Sequence, residues 1–176
     1  MKRKLPMIKA QTILLLFMFL ILSLVSCKKD TSSETPGGVE VGNIAPDFTL
    51  AGVDNNLHSL SDYRGKLVLL QFWASWCSFC REENPELVSL LDEYKQKGFE
   101  ILGVSLDMER SSWMNAIEND HLNFIHLSDL KGFDSPVAKT YKVNSIPQMF
   151  LVDEDGVITL ITSSASTVTG KVEQHY

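Results

Sequence analysis

The stretch Phe72-Trp-Ala-Ser-Trp-Cys-Ser-Phe-Cys-Arg-Glu-Glu-Asn-Pro85 holds two of the chain's three cysteines, Cys77 and Cys80. It follows a near-continuous apolar run, Lys66–Ser75, which reads as a buried central strand. It leads into Pro85–Gly98, where Leu87, Leu90, Leu91 and Tyr94 recur at helical spacing and Lys95, Lys97 and Gly98 supply the stop signals. The pair therefore sits where a strand turns into a helix. Unpaired amides and the helix dipole at that place favour a thiolate and lower the thiol pKa. One turn on, Cys80 is spaced to attack a mixed disulfide formed at Cys77.

Other chemistries fit the pair less well. A zinc site needs four ligands, and His58, His121, His126 and His175 show no tight ligand spacing. Two thiolates also suit Cu(I), so a copper carrier is an alternative. A purely structural disulfide would close a loop too small to restrict the unfolded chain much.

Working outward, Phe99–Asp107 reads as a second strand, parallel to the first after a right-handed crossover. Ser111–Asp120 fits a short helix with Ser111 or Ser112 as its N-cap. Asn123–Asp129 suggests another strand, and Pro136–Val143 a helix with proline at its first position. Gln148–Ile161 reads as a hairpin about Glu154-Asp155-Gly156. A short strand and turn precede all of these, and the polar C-terminus leaves only a weak last helix. Strands alternating with helices and ending in a hairpin imply an α/β fold with a mixed sheet. A C-x-x-C beside a βαβ pattern reads as a thioredoxin-like redox motif.

The N-terminus is an address. Lys2, Arg3, Lys4 and Lys9 are the only charged residues in the first 26, and Ile13–Val25 is an apolar run of 13. As a helix that run would span about 20 Å, against a bilayer core of about 30 Å. That suits the h-region of a signal peptide better than a membrane anchor. The run ends in Leu-Val-Ser-Cys27, which resembles the bacterial lipobox. The resemblance implies that residues 1–26 are removed and that Cys27 carries lipid. Residues 27–41 then form the lipidated cysteine and a polar tether of about 20 Å end to end, and residues 42–176 the folded domain. Beyond residue 26 there remain 12 basic against 22 acidic side chains. So acidic a body lacks the basic face that nucleic acid requires.

The whole set of motifs resembles the thioredoxin superfamily. More narrowly, it is similar to the TlpA/ResA-like membrane-anchored thiol–disulfide oxidoreductases, which carry AhpC/TSA-Redoxin-like domains. The resemblance rests on Val41–Leu50, Gly65–Leu87 and Ser128–Ile158 together with the lipobox, and covers roughly residues 39–162. It implies a thioredoxin fold with an N-terminal β extension and a helix–strand insertion before a cis-proline. It also implies Cys77 as nucleophile, Cys80 as resolving thiol and Trp76 as part of the docking surface. Ile146 and Pro147 become the cis-proline segment that receives an extended substrate. Glu83 matches the glutamate of W-C-x-x-C-x-x-E, and its expected burial would suit it to proton transfer.

No cofactor or metal is implied, because the dithiol is itself the redox centre. The expected protein is a monomeric reductase of protein disulfides in the cell envelope, facing the periplasm or exterior and recharged by a membrane electron donor. Cytochrome c maturation and envelope redox homeostasis are the expected settings, with apocytochrome c among the possible clients. Two departures stand out. Gln71 occupies the place of the buried aspartate of thioredoxin, and Ser78-Phe79 lies where many relatives have a proline before the second cysteine. A peroxiredoxin-type peroxidase is the enzymatic alternative, since Ala45–Leu50 also occurs there. Ser75, however, stands too close to Cys77 to serve as its activating hydroxyl, and no proline precedes it.

Overall fold

The computed structural model describes residues 38–176. The leader, Cys27 and the first part of the tether lie outside the described residues. Within them the strands are β1 (Thr49–Gly52), β2 (Leu57–Ser59), β3 (Leu67–Trp73), β4 (Phe99–Ser105), β5 (Ile125–Ser128), β6 (Gln148–Val152) and β7 (Ile158–Thr162). The helices are α1 (Ser78–Tyr94), α2 (Arg110–Asn119), α3 (Pro136–Thr140) and α4 (Ala165–His175). The sheet has seven strands in the order β2-β1-β5-β4-β3-β6-β7. Strands β3, β4 and β5 run parallel, and the remaining pairings are antiparallel.

Strands β3 and β4 are buried at every residue, which explains why they read as continuous apolar runs rather than alternating ones. Alternation still assigns the faces. Gln71 donates to Asn84 of α1, while Phe72 packs against Tyr141 and Phe150 on the other side. Helix α1 buries Cys80, Asn84, Leu87, Leu90, Leu91 and Tyr94 as one stripe. It runs on through a 3-10 turn to Gly98, whose φ of +102° makes the left-handed stop that the sequence signals there.

Several expectations need correction. The last helix is not weak: α4 spans 11 residues and buries Ala165, Val168 and Val172. Its small and β-branched residues hide the pattern, which packing against α1 and the sheet overrides. Helix α2 starts at Arg110, and its N-cap is Glu109 rather than Ser111 or Ser112. Helix α3 stops at Thr140, and Lys142 follows with φ +54°. The end of the expected tether is folded. Gly38 donates its N–H to Ile44 O at 3.1 Å and Val39 packs on the core.

Candidate active site

Strand β3 delivers the dithiol to one end of the sheet. Cys77 is the N-cap of α1, with φ −87° and ψ 98°, and its Sγ accepts the N–H of Cys80 at 3.1 Å. The two sulfurs form a disulfide with Cα atoms 5.3 Å apart. Exposure separates their roles: Cys77 is 6% exposed and Cys80 is 0% exposed. Only Cys77 offers an edge to an incoming sulfur.

The neighbours form two groups. Trp76 is 58% and Phe79 69% exposed, unusual for such large apolar side chains. Ile146-Pro147 is a cis peptide bond, and both residues are half-buried. A shallow pocket is lined by Phe79, Glu82, Glu83, Glu86, Pro147 and Ser163, so the cis-proline and Glu83 face one cavity. Glu83 is half-buried, short of the burial expected of it. Its carboxylate accepts the N–H of Ala165, the first residue of α4, and Glu86 accepts the hydroxyl of Thr169 at 2.6 Å. Glu83 thus supplies the cap that the side chain of Ser164 does not.

Three further sets of residues build the site, each with a partner that no motif marks. Asp107, 2% exposed, accepts hydrogen bonds from Ser75 N–H at 3.0 Å, from Ser75 Oγ at 2.5 Å and from Ser105 Oγ at 2.7 Å. The parallel register pairs Trp73 with Ser105, so Ser75 and Asp107 leave the sheet side by side. Arg81 donates through Nε and Nη2 to Asp120 at 2.8 and 2.5 Å, fastening the first turn of α1 to the C-terminus of α2. That hydrogen bonding holds the Asp120 carboxyl below its usual range, although burial opposes it, and holds the guanidinium above its own. Below the dithiol, Gln71 Nε2 donates to Asn84 Oδ1 at 3.2 Å. A neutral amide pair therefore fills the place where thioredoxin has an acid.

Trp73, Trp113 and His126 are buried packing residues. Among the described residues no group of three or more His, Cys, Asp and Glu side chains could hold a metal ion. Nor, among them, is any helix long and apolar enough to cross a membrane.

A helix-capping C-x-x-C disulfide at the end of a central β-strand, beside a cis-proline on a mixed sheet, defines a thioredoxin-fold dithiol oxidoreductase. The chain belongs to the AhpC/TSA family, whose model matches residues 41–161, and within it to the ResA-like thiol–disulfide oxidoreductases. It is 36% identical over 137 residues to the thiol-disulfide oxidoreductase ResA of Geobacillus kaustophilus, covering 78% of this chain and 76% of that one. Among solved structures it resembles the thioredoxin domain of a thiol-disulfide oxidoreductase from Bacteroides vulgatus. There the TM-score is 0.74 at 33% identity, over 78% of this chain and 99% of that one. A thiol-disulfide oxidoreductase from Bacteroides fragilis matches with TM-score 0.72 at 36% identity, over 76% and 100% of the two chains.

Proposed function

We propose that the chain is a lipid-anchored reductase of protein disulfides in the cell envelope, with Cys77 as its nucleophile. The observation that carries the assignment of roles is the asymmetry of the pair. Cys77 caps α1 with its sulfur on the Cys80 amide and keeps an exposed edge, whereas Cys80 is enclosed. In the reduced domain the Cys77 thiolate attacks one sulfur of a client disulfide. The other client sulfur leaves as a thiolate and takes up a proton. The Cys80 thiol then loses its proton and attacks Cys77, releasing the second client thiol and restoring the Cys77–Cys80 disulfide. Two electrons pass from the domain to the client, so a membrane dithiol donor must return them.

Trp76, Ile146 and Pro147 are the substrate-binding residues of this reading. The backbone of Ile146 pairs with an extended client segment. Glu83, which lines the same pocket as Pro147, relays protons in addition to capping α4. Cys27, after the apolar run, carries the lipid and holds the domain at a bacterial membrane, facing the periplasm or exterior. Apocytochrome c in cytochrome c maturation is one client this reading accommodates, and envelope thiol homeostasis is the broader setting.

The test is trapping. The full chain with Cys80→Ser is expressed in its native envelope, and proteins disulfide-linked to Cys77 are identified. Apocytochrome adducts support the maturation role and a broad set supports general reduction. An absence of Cys77-dependent adducts contradicts the reading.

A further inference from the structure

We infer that Trp76, Phe133 and Met108 form one docking ridge, which makes the enzyme prefer client disulfides flanked by a bulky apolar residue. The inference rests on the disulfide-exchange reading above and names the substrate class for that same site. Phe133 is 42% and Met108 72% exposed, and neither belongs to the C-x-x-C or to the cis-proline segment. The Phe133 ring lies 6.2 Å from that of Trp76. A β-carbon placed on Gly132 would come within 3.3 Å of Met108 Cγ, so Met108 lies against the turn that carries Phe133. Met108 and Trp76 also line one shallow cavity with Ser75, Asp107, Glu109 and Ser112.

Three large apolar side chains thus adjoin one another around Trp76, the residue before Cys77, where isolated exposed ones would need no explanation. The occupant follows from the chemistry. A client sulfur must reach bonding distance of Cys77, which shows only its edge, so the residues flanking the client cysteine are laid over Trp76. An extended chain advances about 3.3 Å per residue. The 6.2 Å step from Trp76 to Phe133 therefore spans about two residues, and the ridge underlies the residues that flank the client cysteine. Phe133 and Met108 flank the helix–strand segment between β4 and α3, so that segment helps to set specificity.

Single-turnover oxidation of the pre-reduced domain, residues 38–176, tests this with three disulfides. Two are cyclic peptides that differ only in carrying Phe or Ser at the positions flanking each cysteine, and the third is a small aromatic disulfide. The expected second-order rate constant for the Phe peptide exceeds that for the Ser peptide by about tenfold. In the double variant Met108→Ala, Phe133→Ala the ratio falls to within about twofold. In Leu57→Ala, an equally exposed apolar residue on β2, it stays as in the parent.

The comparison of peptides on the parent domain needs no variant to fold. Equal rates for the two peptides, or an undiminished ratio in the double variant, would overturn the ridge while exchange with the small disulfide leaves the enzyme assignment standing. Self-association of the parent that the double variant abolishes, with the peptide ratio unchanged, would assign the ridge to a second copy of the chain and overturn the proposal. No exchange with any of the three would overturn the oxidoreductase reading and this inference with it.

Discussion

Asp107 grips Ser75 twice, through its backbone N–H at 3.0 Å and its hydroxyl at 2.5 Å, across a gap of 32 residues in the chain. Ser75 stands two residues before the nucleophile, so the grip holds the loop that presents Trp76 and Cys77 to the end of β4. Asp107→Ala leaves a part-buried amide and two hydroxyls without their acceptor. The expected loss is about 2 kcal/mol, read by urea denaturation of the oxidised domain. Asp107→Asn keeps one acceptor oxygen and should lose less.

Glu83 ties the redox helix to the last helix. Glu83→Ala removes the acceptor at the N-terminus of α4, and the expected loss is about 1 kcal/mol. Hydrogen exchange should quicken along residues 165–170 and stay unchanged in β3 and β4. Acceleration throughout the sheet would mean that the contact supports more than α4.

His126 gives the fold an acid limb. Burial pushes its imidazole down from 6.5 to about 3. In the unfolded chain it protonates near 6.5, so between that pH and 3 the unfolded state holds the extra proton. The stabilisation is complete above pH 6.5 and is lost progressively as pH falls toward 3, at up to about 1.4 kcal/mol per pH unit. Denaturation midpoints between pH 7 and 4 should therefore fall in the parent and flatten in His126→Phe. Parallel curves would contradict the assignment.

The Arg81–Asp120 pair acts lower on the scale. The Asp120 carboxyl is held below 3.8, so its contribution is present above that pH and is lost as pH falls through the depressed value. Arg81 is 39% exposed, and solvent screening reduces the contribution. Arg81→Gln should lower stability slightly near neutrality and remove that share of the decline below pH 4.

Much of this was readable in the linear chain. Strand β3, helix α1 and the hairpin declare themselves, because a continuous apolar run, a 3.6-residue stripe and a Glu-Asp-Gly turn each have one favoured structure. Cys77 and Cys80 are visible because their short spacing carries the information, and Pro147 is visible through the family resemblance of its segment. Asp107, Asp120 and Asn84 are not. Each meets its partner through strand register or helix packing across 13 to 39 residues, and no local pattern marks such a meeting. Glu83 carries the family's motif position, but the motif does not disclose its contact. Its partner is a backbone amide of α4, a helix whose Ala-Ser-Thr-Val composition conceals it. Phe133 and Met108 belong to no motif, and only the fold sets them beside Trp76.

The central claim is that Cys77 alone presents a reactive thiolate. Residue-resolved alkylation of the reduced domain, followed by mass spectrometry from pH 4 to 10, measures it directly. The account predicts that Cys77 is labelled with an apparent pKa well below the ordinary thiol value of about 8.5, while Cys80 is labelled only on unfolding. Equal labelling of both cysteines, or labelling of Cys80 first, would contradict it.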